Sequence, residues 1–155
     1  MKLTFRLEKY LYKYYVTRFD VETSLIRKSI PGMLALGQLK NYMPIGRFET
    51  KRFKRLTEDV FFTITFKKLV RLRISSPSVN ALKGFNANIR DLFYEEYFKF
   101  MDERTIHLSD EQFITISRDF MDKYGLLEDD INVQTLLRNY RRYRRKQQCE
   151  VKQAS

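Results

Sequence analysis

Five arginines and one lysine crowd into nine residues near the end of the chain: Arg138, Arg141, Arg142, Arg144, Arg145 and Lys146. Each planar guanidinium fork can meet two oxygens of one phosphate, or the edge of a guanine. On a helix of about 3.6 residues per turn, Arg138, Arg141, Arg142 and Arg145 fall on one stripe. Val133, Leu136, Leu137 and Tyr140 fall on another, on the far side. The apolar stripe is expected to anchor the helix while the guanidinium groups project. Like charges three and four residues apart repel, and bound phosphates would relieve that repulsion. Tyr140 and Tyr143 sit beside the arginines, where their rings can stack on bases of a single strand. Past Tyr143 the apolar pattern fails, so the helix is expected to protrude, with Arg144 and Lys146 adding charge all round. The competing reading is a solvated cationic helix end that complements the negative pole of its own dipole.

Two further basic groups are secondary candidates for nucleic-acid contact. Lys51, Arg52, Lys54 and Arg55 surround Phe53 in an expected loop, and Lys67, Arg71 and Arg73 line the polar face of an expected strand. Charge on an exposed strand face is also ordinary solvation. A helix-turn-helix fits poorly, because the connection through Gly125 and Leu126–Asp130 exceeds the usual three or four residues. Asp129 and Asp130, expected to start the last helix, would also face phosphates where a recognition helix reads bases.

Signals for catalysis fail on inspection. Gly32 and Gly37 have the spacing of a phosphate-binding loop, but Gln38 and Leu39 stand where lysine and a hydroxyl residue are required. Glu49–Thr50–Lys51 matches part of a nuclease site, yet no convergent carboxylate set can be assembled around it. His107 is the sole histidine and Cys149 the sole cysteine, which leaves no metal site, no expected cofactor and no internal disulfide. Glu96 is read as structural, paired with an arginine across a helix interface. The expectation is a protein that binds and does not catalyse.

Composition frames that reading. The 155 residues carry a net charge of +11, with 43% hydrophobic and 15% aromatic residues, enough for a real core. Residues 1–83 hold 18 Lys/Arg against 6 Asp/Glu, residues 84–137 hold 5 against 12, and residues 138–155 hold 7 against 1. This basic–acidic–basic layout concentrates cations on particular surfaces, which favours anionic partners. No apolar run approaches the roughly 18 residues of a membrane span. Met1–Leu11 is interrupted by Lys2, Arg6, Glu8 and Lys9, so no signal-peptide core is expected and the cytoplasm is the expected compartment.

The elements that must position these residues follow from periodicity. Leu3, Phe5 and Leu7 alternate with polar residues as a half-buried strand, and Glu8–Arg18 reads as a helix. Tyr10, Tyr12, Tyr14 and Tyr15 are expected to pack inward. A short extended piece near Ser24–Lys28 precedes a helix over Pro31–Asn41 carrying Met33, Leu34, Leu36 and Leu39. Val60–Ile74 reads as one long strand or a bulged pair. Pro77 and Gly84 are expected to bound a linker. Phe85, Ile89, Leu92, Phe93, Phe100 and Met101 then outline a helix to about Glu103. Ser109 with Gln112 marks the start of another, which carries Phe113, Ile116, Phe120 and Tyr124 and stops at Gly125. The expected fold is α+β: a basic subdomain over 1–83, a three-helix subdomain over 84–147, and a flexible tail over 148–155.

Lys2–Phe19, the run Phe120-Met-Asp-Lys-Tyr-Gly-Leu-Leu-Glu-Asp-Asp130 and the run Tyr140-Arg-Arg-Tyr-Arg-Arg-Lys146 resemble small uncharacterised basic proteins of bacteriophages and integrated mobile elements. The resemblance covers the two ends of the chain. It implies a phage or mobile-element setting and carries no assigned activity or site residues; that setting raises the expectation of a DNA-handling role. The sequence therefore predicts a nucleic-acid-binding protein, DNA over RNA, regulatory, replicative or packaging-related, and not a membrane binder. The alternative is an assembly protein that self-associates through its basic and acidic surfaces, or that docks on an acidic protein.

Overall fold

A computed structural model describes residues 2–19, 22–24, 29–40, 56–64, 77–104 and 110–153. The fold is α+β and divides into two compact units, Met1–Leu92 and Phe93–Ser155.

The first unit is built on a three-stranded sheet of order β1-β3-β2, comprising β1 (Lys2–Glu8), β2 (Glu22–Ser24) and β3 (Leu56–Thr63). β3 lies in the centre, antiparallel to β1 and parallel to β2. Leu3 faces Phe62 and Phe5 faces Val60 across the β1–β3 ladder. All four are buried, so the alternation in both strands presents one apolar face. Between Leu7 and Glu8 the register shifts, and Glu8 pairs with Leu56 in place of Thr57. The chain turns there into helix α1 (Lys9–Arg18), which buries Tyr10, Leu11, Tyr14 and Tyr15, whereas Tyr12, also expected inside, is half-buried.

Helix α2 (Ile30–Lys40) is capped by Ser29, whose Oγ accepts from the Gly32 amide at 3.1 Å. Its inward face is Ala35, Leu36 and Leu39; Met33, expected inside, is 49% exposed. Helix α3 (Val79–Arg104) is capped in the same way by Ser78, whose Oγ accepts from the Ala81 amide at 3.1 Å. The expected linker ending at Gly84 is therefore absent: Gly84 lies inside α3, and the boundary between units falls eight residues later. A Cβ at Gly84 would meet Gln38 Oε1 of α2 at 2.0 Å, so this glycine marks a close approach and not a break.

Phe85 closes the first core, with ring centroids 4.8 Å from Phe5 and 5.5 Å from Phe62. Glu8 ties the end of β1 to α3: its amide donates to Asn86 Oδ1 at 3.0 Å and its carboxylate accepts from Arg90 at 2.7 Å. Among the described residues the buried Asn86 side chain is satisfied by Glu8 alone, since its Nδ2 also donates to Glu8 Oε1 at 3.5 Å.

The second unit holds residues 93–104 of α3, then α4 (Asp110–Lys123) and α5 (Val133–Gln153). Its core contains Phe93, Tyr97 and Met101, four residues apart along α3, with Ile116, Phe120, Met121 and Tyr124 of α4. Tyr97 is wholly buried, although the expected stripe omitted it, whereas Leu92 and Phe100 are only half-buried. Ser117 Oγ donates to the Phe113 carbonyl at 2.8 Å, which leaves the Tyr97 hydroxyl to donate to Ser117 Oγ, also at 2.8 Å. Glu96 accepts from Lys123 Nζ at 3.2 Å and from the Tyr124 hydroxyl, so a lysine and a tyrosine engage it where an arginine was expected.

Gly125 ends α4 with φ of 60°. Its amide donates to the Asp122 carbonyl and that of Leu126 to the Met121 carbonyl, the paired bonds of a Schellman stop. α5 then begins later than expected. Leu127–Ile131 forms a turn in which the Leu127 amide donates to Asp130 Oδ2 at 3.0 Å. Asn132 is the cap, with Oδ1 accepting from Gln134 at 2.8 Å. Asp129 and Asp130 thus serve the turn and not the first helical residues. At the other end α5 continues to Gln153, where a flexible tail was expected from residue 148. Thr65 to Ile74 of the expected long strand, the proposed Ser109 cap, and His107 lie outside the described residues.

Candidate nucleic-acid interface

α5 divides its faces as its sequence dictates. Val133, Leu136, Leu137 and Tyr140 are 5%, 0%, 2% and 3% exposed, so the anchoring stripe is fully used. Arg138, Arg141, Arg142 and Arg145 are exposed, and every residue from Arg144 to Glu150 is exposed as well. Among the described residues no hydrogen bond or ion pair engages the side chains of Arg138, Arg142 or Arg145. The Lys146 ammonium lies 4.0 Å from Glu150, one turn on.

The two tyrosines behave differently from expectation. The Tyr140 ring is buried beside Tyr97, Phe98 and Phe113, so it has no face to offer a base. Its spacing from Val133 and Leu136 assigns it to the anchor, and the anchor claims it. Tyr143 is half-buried, with one face stacked on Phe98 at 4.4 Å and an interplanar angle of 14°. Asp102, at the end of α3, fixes both: Oδ1 accepts from the Tyr140 hydroxyl at 2.7 Å and Oδ2 from that of Tyr143 at 3.2 Å. Partial burial, and then the Asp102 charge, push the Tyr143 phenol above its ordinary value.

Arg144 belongs to the same chain of contacts. Its Nη1 donates to the Tyr140 hydroxyl oxygen at 3.3 Å, and its guanidinium carbon lies 5.9 Å from the Tyr140 ring centroid. That hydrogen bond, with the nearby Tyr140 and Asp102 oxygens, holds Arg144 above its usual value and keeps the guanidinium charged. Sequence spacing gave Arg144 only diffuse charge; the fold gives it a fixed position.

A cleft of about 230 Å³ opens along this edge of α5. Phe113 of α4 and Leu137 and Tyr140 of α5 supply apolar surface, while Arg141, Arg144, Arg145 and Gln148 supply polar groups. Arg141 and Arg145 therefore face both the cleft and the outer stripe. The cleft joins two elements distant in sequence, and the helical period of α5 alone gave no sign of Phe113. Lys51, Arg52, Lys54, Arg55, Lys67, Arg71 and Arg73, the secondary candidates, lie outside the described residues.

Among the described residues no cluster of three or more His, Cys, Asp or Glu side chains is placed to hold a metal ion. No described helix is long and apolar enough to cross a membrane. Comparison with protein-family models, curated proteins and solved structures found no match for this chain.

Proposed function

We propose that this protein binds nucleic acid, DNA in preference to RNA, by gripping phosphates with the exposed arginine face of α5. The observation that carries the reading is the division of that helix. Four buried residues fix it, and Arg138, Arg141, Arg142 and Arg145 stand on the side left to solvent. Rows of guanidinium groups at helical spacing suit a polyanion, whose charges repeat along a line. The connection from Gly125 to Asn132 keeps α4 and α5 out of a compact helix-turn-helix, which favours backbone gripping over base reading by the helix start. The resemblance of the chain's ends to phage and mobile-element proteins supports a DNA-handling role.

The test is a comparison of duplex DNA, single-stranded DNA and RNA by gel shift, followed by a salt titration. If about four phosphates are neutralised, log K against log salt falls with a slope of roughly −3.6. A slope near zero overturns the reading. Light scattering without nucleic acid tests the rival: oligomers that dissolve in salt, together with absent DNA binding, would assign the basic face to self-association.

A further inference from the structure

The cleft beside α5 brings together three properties that the arginine stripe does not combine. It has an apolar floor, it has an aromatic ring in Phe113 that is only half-buried, and it has guanidinium groups on one rim. Arg144 is held in place by the Tyr140 hydroxyl, so one of those groups is positioned before any ligand arrives. A bare phosphate needs no apolar floor, and an apolar ligand needs no arginines. The occupant must carry a flat apolar body and an anionic group side by side.

Size and surroundings narrow the class further. About 230 Å³ lies below the roughly 300–1,000 Å³ of drug-sized pockets, so the space suits one ring-sized body. The cation row also continues past the cleft. From Arg138 to Arg145 it runs about 10 Å along the helix at about 1.5 Å per residue. That length exceeds one phosphate group, so the row can meet more than one phosphate of a strand. A small amphipathic anion would use the cleft and leave the row idle, whereas a strand uses both.

We infer that the cleft takes one unstacked nucleotide of a single strand, with its base against the half-buried Phe113 ring and its phosphate among Arg141, Arg144 and Arg145. The inference rests on the phosphate-gripping function and adds to it a preference for single strands over duplexes. Duplex DNA keeps its bases stacked and can use only the outer row. In this arrangement Phe113 takes the stacking role that the sequence assigned to Tyr140.

The test uses the full chain and fluorescence anisotropy. The probe is a labelled oligothymidylate of about 12 nucleotides, within the range of about 4–16 that such sites cover. A matched strand of abasic sites supplies the same phosphates without bases. The native protein is expected to bind the intact strand more tightly by about 5- to 150-fold, the ratio equivalent to about 1–3 kcal/mol per stacked base. Phe113→Ala is expected to erase that ratio while leaving abasic-strand affinity unchanged. Phe113→Leu, which keeps apolar volume in the fold, is expected to do the same. Equal binding of intact and abasic strands by the native protein, with a steep salt slope, overturns the cleft inference and leaves the phosphate grip standing. A ratio that persists in both variants also overturns it. Absence of binding to any of these strands or to duplex DNA removes both readings together.

Discussion

Replacing Arg138, Arg142 and Arg145 together with alanine is expected to make this protein more stable while it weakens the proposed grip on nucleic acid. The side chains are exposed, and no described residue pairs with them. Removing them deletes five like-charge pairs at helical contact spacing. These are Arg138 with Arg141 and Arg142, Arg145 with Arg141 and Arg142, and Arg142 with Lys146. Each pair costs about 0.2–0.5 kcal/mol on a helix surface, so low salt should reveal a gain of about 1–2.5 kcal/mol. The gain should be clear near 0.01 M salt, where the Debye length is about 30 Å, and nearly vanish near 1 M, where it is about 3 Å. Urea unfolding followed by circular dichroism at both ionic strengths measures it. In parallel, the salt slope for DNA should fall from roughly −3.6 to roughly −0.9 as three phosphate contacts disappear. A variant that is destabilised at low salt, or that keeps the native slope, would refute the argument. The first outcome would mean that these arginines hold the fold, and the second that phosphates are gripped elsewhere.

Other perturbations probe the scaffold. Asp102→Asn removes the charged acceptor shared by Tyr140 and Tyr143 and should cost about 1–2 kcal/mol, given the half-exposed site, measured by the same unfolding assay. Gly125→Ala places a Cβ at φ of 60° in otherwise open space and should cost about 1–2 kcal/mol from backbone strain alone. Burial raises the Tyr97 phenol well above its ordinary value. The folded state therefore holds that proton more tightly than the unfolded chain, whose tyrosines titrate near about pH 10. Stability should be complete below that pH and fall as pH rises through it. Tyr97→Phe should lose about 1 kcal/mol at neutral pH, from the bond to Ser117, and show a shallower alkaline decline. Parallel declines in the two proteins would assign the alkaline transition to another group.

Much of the fold is legible in local pattern. The alternation of Leu3, Phe5 and Leu7, the tyrosine spacing of α1 and the stop at Gly125 each carry their structure within a few residues. What escaped was set by neighbours distant in sequence. Gly84 reads as a helix breaker by propensity, yet Ser78 caps the helix before it and Phe85 anchors it on the sheet. Tyr97 was missed because a polar hydroxyl counts against burial until Ser117 is there to receive it. The start of α5 moved because the acids that suit a first helical turn also close a tight turn, which leaves Asn132 to cap the helix. The arginine row was visible in the sequence. The cleft was not, because Phe113 reaches α5 only through the packing of α4.

Asn132 and the stripe from Val133 to Tyr140 settle where α5 begins and which side it turns inward, independently of what occupies Arg138, Arg142 and Arg145. Drift at those three positions is consequently shielded from selection on folding. A lineage can lose or gain a cation there one codon at a time, moving the salt slope by about 0.9 per step while the core remains intact. If the arginine face grips phosphates as proposed, its strength is adjustable without disturbing the buried stripe that holds it.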